Sequence, residues 1–169
     1  MQKRFGLALL TLGVVLGTPA LAGHKTIDIA NLKKEMELPA GGFGEAFDLK
    51  MVVQMVFNPG MSDKRGCRLQ VYYTNTSKVK INLRTNVTTY DSQPEVADVN
   101  LVPTGDLAPG QMIMRLYSCK PAEAVEISRE NQYAWPNVCD IEGKEQSPCP
   151  VAIHFSSTMG IVEQKDGGK

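Results

Sequence analysis

Val79-Lys-Ile-Asn-Leu-Arg-Thr-Asn-Val-Thr-Thr89 alternates without a break. Val79, Ile81, Leu83, Thr85, Val87 and Thr89 fall on one side, with Lys80, Asn82, Arg84, Asn86 and Thr88 on the other. A period of two over so many residues is the mark of an extended strand with one face buried and one wet. That pattern belongs to an antiparallel sheet lying over a core.

The same period runs outward in both directions. Upstream, Cys67, Leu69, Val71 and Tyr73 alternate with Arg68, Gln70 and Tyr72, and Asn75-Thr-Ser77 supplies the turn between the two strands. Further back, Leu49, Met51, Val53, Met55 and Phe57 form an apolar row, stopped by Asn58-Pro-Gly60. Downstream, a polar connection from Asp91 to Asn100 and the turn Leu107-Ala-Pro-Gly110 precede strands over 111–119 and 122–127. An irregular stretch over 128–150 leads to two last strands, 151–155 and 159–163. Seven or eight short strands with frequent turns describe an all-β chain, an antiparallel β-sandwich spanning 48–163.

From Val71 to Cys119 the order is strand, Asn-Thr-Ser turn, long alternating strand, polar excursion, Leu-Ala-Pro-Gly turn, strand. This resembles the immunoglobulin-like modules of bacterial envelope proteins, in which a Leu-x-Pro-Gly turn opens a late strand. The resemblance implies an immunoglobulin-like sandwich and no particular activity.

Ahead of the strands, Ile29, Leu32 and Met36 recur at steps of three and four, which predicts a short amphipathic helix starting near Asp28. Pro39 and the glycines of 40–44 end it, so 23–47 reads as helix plus flexible connector. The apolar face of that helix is a candidate docking surface for another protein.

The first 22 residues have Lys3 and Arg4, an apolar run from Phe5 to Leu16, and Ala20-Leu-Ala22 at the end, the layout of a secretory signal. The apolar run is too short to span a bilayer. Removal leaves 147 residues with 16 basic and 18 acidic side chains. That length suits one domain, and the net charge of −2 offers no basic patch for nucleic acid. The expected destination is the periplasm or the exterior. The polar tail 164–169 is expected to be disordered.

Four cysteines in an exported chain predict two disulfides. Their spacings of 51, 19 and 9 intervening residues contain no Cys-x-x-Cys start for a zinc site. Cys67 with Cys119, bridging between sheets, and Cys139 with Cys149 is the favoured pairing. Loops of that length stabilise by about 4 and about 3 kcal/mol in the chain-entropy account. One difficulty stands. Met51 and Met55 read as packing residues, and so do Met112 and Met114 beside Leu116. Yet Cys119 is in phase with Ile113 and Tyr117, opposite to those methionines, so either a bulge intervenes or both faces are covered.

Two further stretches carry candidate function. Tyr133 and Trp135 lie in a long connection, where large aromatics can anchor a partner. Gly23-His24-Lys25 would form the mature amino terminus, where a free amine, a backbone nitrogen and the His24 imidazole can hold a cupric ion, with His154 or a methionine completing the set. Some copper carriers and copper oxygenases are similar in being immunoglobulin-like sandwiches with a leading histidine, although here the cut falls one residue early. No Gly-x-Ser-x-Gly elbow accompanies Ser156, Ser157 and His154, and no other catalytic constellation emerges. The expectation is a non-catalytic, cofactor-free accessory subunit of a bacterial envelope complex acting through protein contacts, with periplasmic copper binding as the alternative.

Overall fold

A computed structural model describes residues 28–42, 44–57, 67–92, 95–128 and 138–163. The described chain is all-β. Its strands are β1 (Lys33–Leu38), β2 (Phe47–Phe57), β3 (Cys67–Asn75), β4 (Ile81–Tyr90), β5 (Val96–Pro103), β6 (Met112–Ser118), β7 (Ala124–Ser128), β8 (Cys139–Ile141), β9 (Lys144–Gln146) and β10 (Val151–Ile161). They form one curled sheet in the order β6-β3-β2-β10-β7-β4-β8-β9, with β1 on β10 and β5 on β4.

The sheet is mixed, not purely antiparallel. β10 runs parallel to β2 over Val151–Ser157 and parallel to β7 at Gly160 and Ile161. One long strand thus replaces the two short ones expected over 151–163, and it passes from one neighbour to another along its length. The expected helix is also absent. Ile29–Asn31 makes a single 3-10 turn, and Lys33–Leu38 is a strand paired antiparallel with β10. Spacing by three and four on three residues is a weak helix signal, and pairing with an open edge of β10 decided the outcome, since that edge takes up the backbone groups of the segment that face it.

Alternation places the core as expected on the central strands. Leu49, Met51 and Val53 of β2, Leu69, Val71 and Tyr73 of β3, and Ile81, Leu83 and Val87 of β4 are buried. Tyr73 reaches from β3 to β4, where its hydroxyl pairs with that of Thr85 and donates to Val102 O at 3.4 Å. Leu32 lies over Gly160, where any Cβ would meet it at 2.7 Å. The region 91–100, read as a connection, contributes most of β5, and the stretch 128–150 contains the β8–β9 hairpin, turned by Glu142 and Gly143 at φ 52° and 77°.

Asn75 is fully buried and holds several segments at once. Its Nδ2 donates to Val79 O at 2.7 Å and Leu107 O at 2.9 Å, and its Oδ1 accepts from the Ser77 backbone N–H at 3.0 Å. Its own N–H donates to Gln111 O at 3.0 Å. The Asn-Thr-Ser triplet is therefore turn chemistry, as its position between strands implied.

Both disulfides pair as expected, Cys67 with Cys119 and Cys139 with Cys149. They suit an oxidising, extracytoplasmic environment. The first is not a bridge between sheets. Cys67 and Cys119 continue the β3–β6 register, so the bond joins directly opposed residues of neighbouring strands, with Cα atoms 5.3 Å apart. Among the described residues, no helix is long and apolar enough to cross a membrane.

Two outcomes follow. Asn75→Ala removes the amide bonds to Leu107 O and Val79 O, which keep Ile81 N–H and Ser77 Oγ as partners, and leaves a buried gap; it should lower unfolding free energy by about 2 kcal/mol in urea titration. Burial pushes the Tyr73 phenol far above the usual tyrosine range; the Thr85 hydrogen bond opposes this and Tyr117 adds to it. A pKa raised in the folded state gives stability that is complete below the unfolded value of about 10 and is lost as pH rises beyond it. Stability should fall progressively above about pH 10, and Tyr73→Phe should flatten that alkaline slope.

Candidate functional site: an unguarded sheet edge

The sequence-derived candidates disperse in the structure. His24, Tyr133 and Trp135 lie outside the described residues. Ile29 and Leu32 are half-buried, and Met36 packs from β1 against the core, so the predicted docking row is turned largely onto the protein's own sheet. His154 lies between two carboxylates, Nε2 3.2 Å from Asp48 Oδ1 and Nδ1 3.6 Å from Glu37 Oε2. Its two nitrogens point to different partners, an arrangement that ties β1 and β2 to β10. Among the described residues, no group of three or more His, Cys, Asp or Glu side chains could hold a metal ion.

What does stand out is the row that sequence reading assigned to the core. Met112, Met114 and Leu116 are 63%, 47% and 53% exposed. Ile113 and Tyr117 face inward and pack against the core, in phase with buried Cys119. The phase conflict needed no bulge: a disulfide to Cys67 obliges the odd residues of β6 to face inward, and the even ones must then face out.

The direction of the β6 backbone follows from the same register. Asn75 donates its N–H to Gln111 O, and these two residues are directly opposed. In an antiparallel pair, opposed residues alternate between exchanging hydrogen bonds and not exchanging them. Ile113, Arg115 and Tyr117 therefore bond to β3, whereas Met112, Met114 and Leu116 turn their N–H and C=O groups to the open side. Among the described residues, β3 is the one strand partner of β6. Among the described residues, the same three thus offer exposed apolar side chains and backbone groups with no partner strand.

Edge strands invite pairing with other chains unless something blocks them. On β1, Lys33, Lys34, Glu35 and Glu37 are exposed charges, and Lys34 Nζ bonds to Thr158 O. β9 is three residues long and begins Lys144-Glu145. On β5, Thr104 N–H donates to Leu83 O, which by the same alternation directs Val99, Leu101 and Pro103 outward. There the Asp98 carboxylate accepts the Val99 N–H at 3.0 Å, Pro103 has no N–H, and Arg115 bonds to Pro103 O at 3.4 Å and Thr104 O at 3.1 Å. β5 is blunted although Val96, Val99 and Leu101 are exposed. Among the described residues, β6 carries no such guard. Its single charge, Arg115, is on the inward row and engaged with the end of β5. Behind the edge, Tyr72 lies opposite Met114 and Val52 opposite Tyr72, extending the apolar surface across β3 to β2.

No protein-family model, no curated protein and no solved structure matches this chain. The site therefore rests on its own geometry. Amide hydrogen exchange in dilute protein tests it: Met112, Met114 and Leu116 should exchange fast while Ile113, Arg115 and Tyr117 are protected. Uniform protection along β6 at every concentration would mean that its outer side is already covered.

Proposed function

We propose that this protein is an exported, non-catalytic binding or accessory subunit of the cell envelope that recognises protein by accepting an extended segment beside β6. The observation that carries the reading is the coincidence on Met112, Met114 and Leu116 of open backbone groups with exposed apolar side chains. Strand addition draws affinity from main-chain hydrogen bonds and specificity from alternate side chains, and both contributions need that parity. Methionine suits such a surface because its flexible thioether adapts to varied partners.

Export to the periplasm is supported by the signal-like first 22 residues together with two disulfides. An immunoglobulin-like arrangement belongs to the same reading. It is supported by Tyr73 meeting Thr85 across the core and by β10 passing from β2 to β7. Edge pairing is a recurrent mode of contact for β-rich domains.

The test is co-purification of the full chain from its native envelope under mild detergent, comparing wild type with Met114→Lys. A lysine there places a charge on the apolar row, and it should leave the fold within about 0.5 kcal/mol because the position is exposed. A stoichiometric partner held by wild type should drop at least tenfold in the variant. Equal recovery would remove β6 from the contact.

A further inference from the structure

We propose that the strand seated on β6 is supplied by a second copy of this chain, the two β6 strands pairing antiparallel about a two-fold axis through Met114. This inference rests on the reading of β6 as a strand acceptor and names its occupant.

The register follows from parity and charge. Only even-numbered residues of β6 turn backbone groups outward, so every hydrogen-bonded pair across the contact must join even to even. Three two-fold registers satisfy this and overlap most of the strand. One is centred on Arg115 and sets the two Arg115 residues directly opposite one another, which opposes pairing. A second, centred on Leu116, sets Met114 against Ser118 and leaves Met112 outside the ladder, breaking the apolar row. The third is centred on Met114. It places Met114 against its own copy, Met112 against Leu116, and Arg115 against Ile113. The row Met112, Met114, Leu116 reads nearly the same in both directions and carries no charge, so it is complementary to itself. Arg115 is held to Pro103 O and Thr104 O on the inward side, away from the axis.

The other edges do not compete. A head-to-tail contact of β6 with β5 would grow into an open filament. On β5, however, the Val99 N–H is already taken by Asp98 and the Pro103 carbonyl by Arg115, leaving little backbone for a ladder. A two-fold β6 contact closes after two copies. One strand pair is a small interface, so the dimer should dissociate on dilution.

Sedimentation velocity of the full exported chain over a range of concentrations, with Met114→Lys and Met114→Glu, tests the proposal. Wild type should move from monomer to dimer. Each variant alone should weaken association about tenfold or more, because the axis sets the new charge against its own copy. An equimolar mixture of the two should recover dimer as a Lys–Glu pair, a rescue strongest in the register that sets Met114 directly against its own copy. Met114→Cys should form an intermolecular disulfide under mild oxidation. Lys50→Cys should not, lying two strands in from the edge and roughly 24 Å from its copy at about 4.8 Å per strand. Circular dichroism confirms that each variant is folded. A monomer at all concentrations, a dimer indifferent to both charges, absence of rescue in the mixture, or open-ended polymers would each overturn the proposal. A monomer whose native partner is nevertheless lost with Met114→Lys would sink the second copy alone and leave strand acceptance standing; a monomer with the partner retained would sink both.

Discussion

The structure depends on the register with which β6 lies on β3. That register is held at both ends, by the Asn75 N–H on Gln111 O and by the bond between Cys67 and Cys119, and the strand between them has no freedom to slip. A shift of one residue would exchange Met112, Met114 and Leu116 for Ile113, Arg115 and Tyr117 on the core side. It would turn the Met112, Met114 and Leu116 row inward, pull Arg115 off the Pro103 and Thr104 carbonyls and expose the aromatic ring that now packs inward. The buried amide of Asn75 does more than close a turn. By gripping Leu107 O and Val79 O it ties the approach to β6 to the start of β4, so the core and the open edge share one anchor.

From that register the functional reading follows without recourse to a cavity or a catalytic group. A curled sheet with several ends must deal with each of them, and three are dealt with here by charge, by brevity, or by a local carboxylate and a proline. Among the described residues, the fourth is left apolar and open. Arg115 is central to this contrast. It closes the Pro103 carbonyl of β5, and in doing so withdraws the one charge that could have guarded β6. A single side chain thereby blunts one edge and leaves the other open.

Much of the fold was legible in the residues. The alternation in Val79–Thr89, in Cys67–Tyr73 and at Leu49–Val53 located the buried faces of β4, β3 and β2, because strands covered on one side must alternate. That the four cysteines form two disulfides was legible from compartment and count, and the favoured partners from strand position and loop length, while the pairing itself was fixed only in the fold. The segment from Asp28 to Leu38 was misread, since a spacing of three and four on three residues cannot outweigh a vacant edge on β10. β5 was missed because Asp98 and Asn100 resemble a loop and its apolar residues, exposed at Val96, Val99 and Leu101 with Val102 buried, fall on both faces without a clean alternation. The candidate site was half legible. Cys119 out of phase with the methionines was the signal, and giving the cysteine priority over the thioethers would have turned Met112, Met114 and Leu116 outward.

The sequence by itself determined that the chain is all-β, which side of β2, β3 and β4 is buried and that its cysteines form disulfides, because those properties depend on local period and composition. Only the tertiary structure decided the parallel course of β10 beside β2 and β7, the strand state of β1 and the openness of β6. The reason is physical. Hydrophobic period reports how a segment divides between oil and water, but the hydrogen-bond partners of a backbone lie far along the chain. Whether an edge is satisfied or exposed is settled only when those distant partners have taken their places.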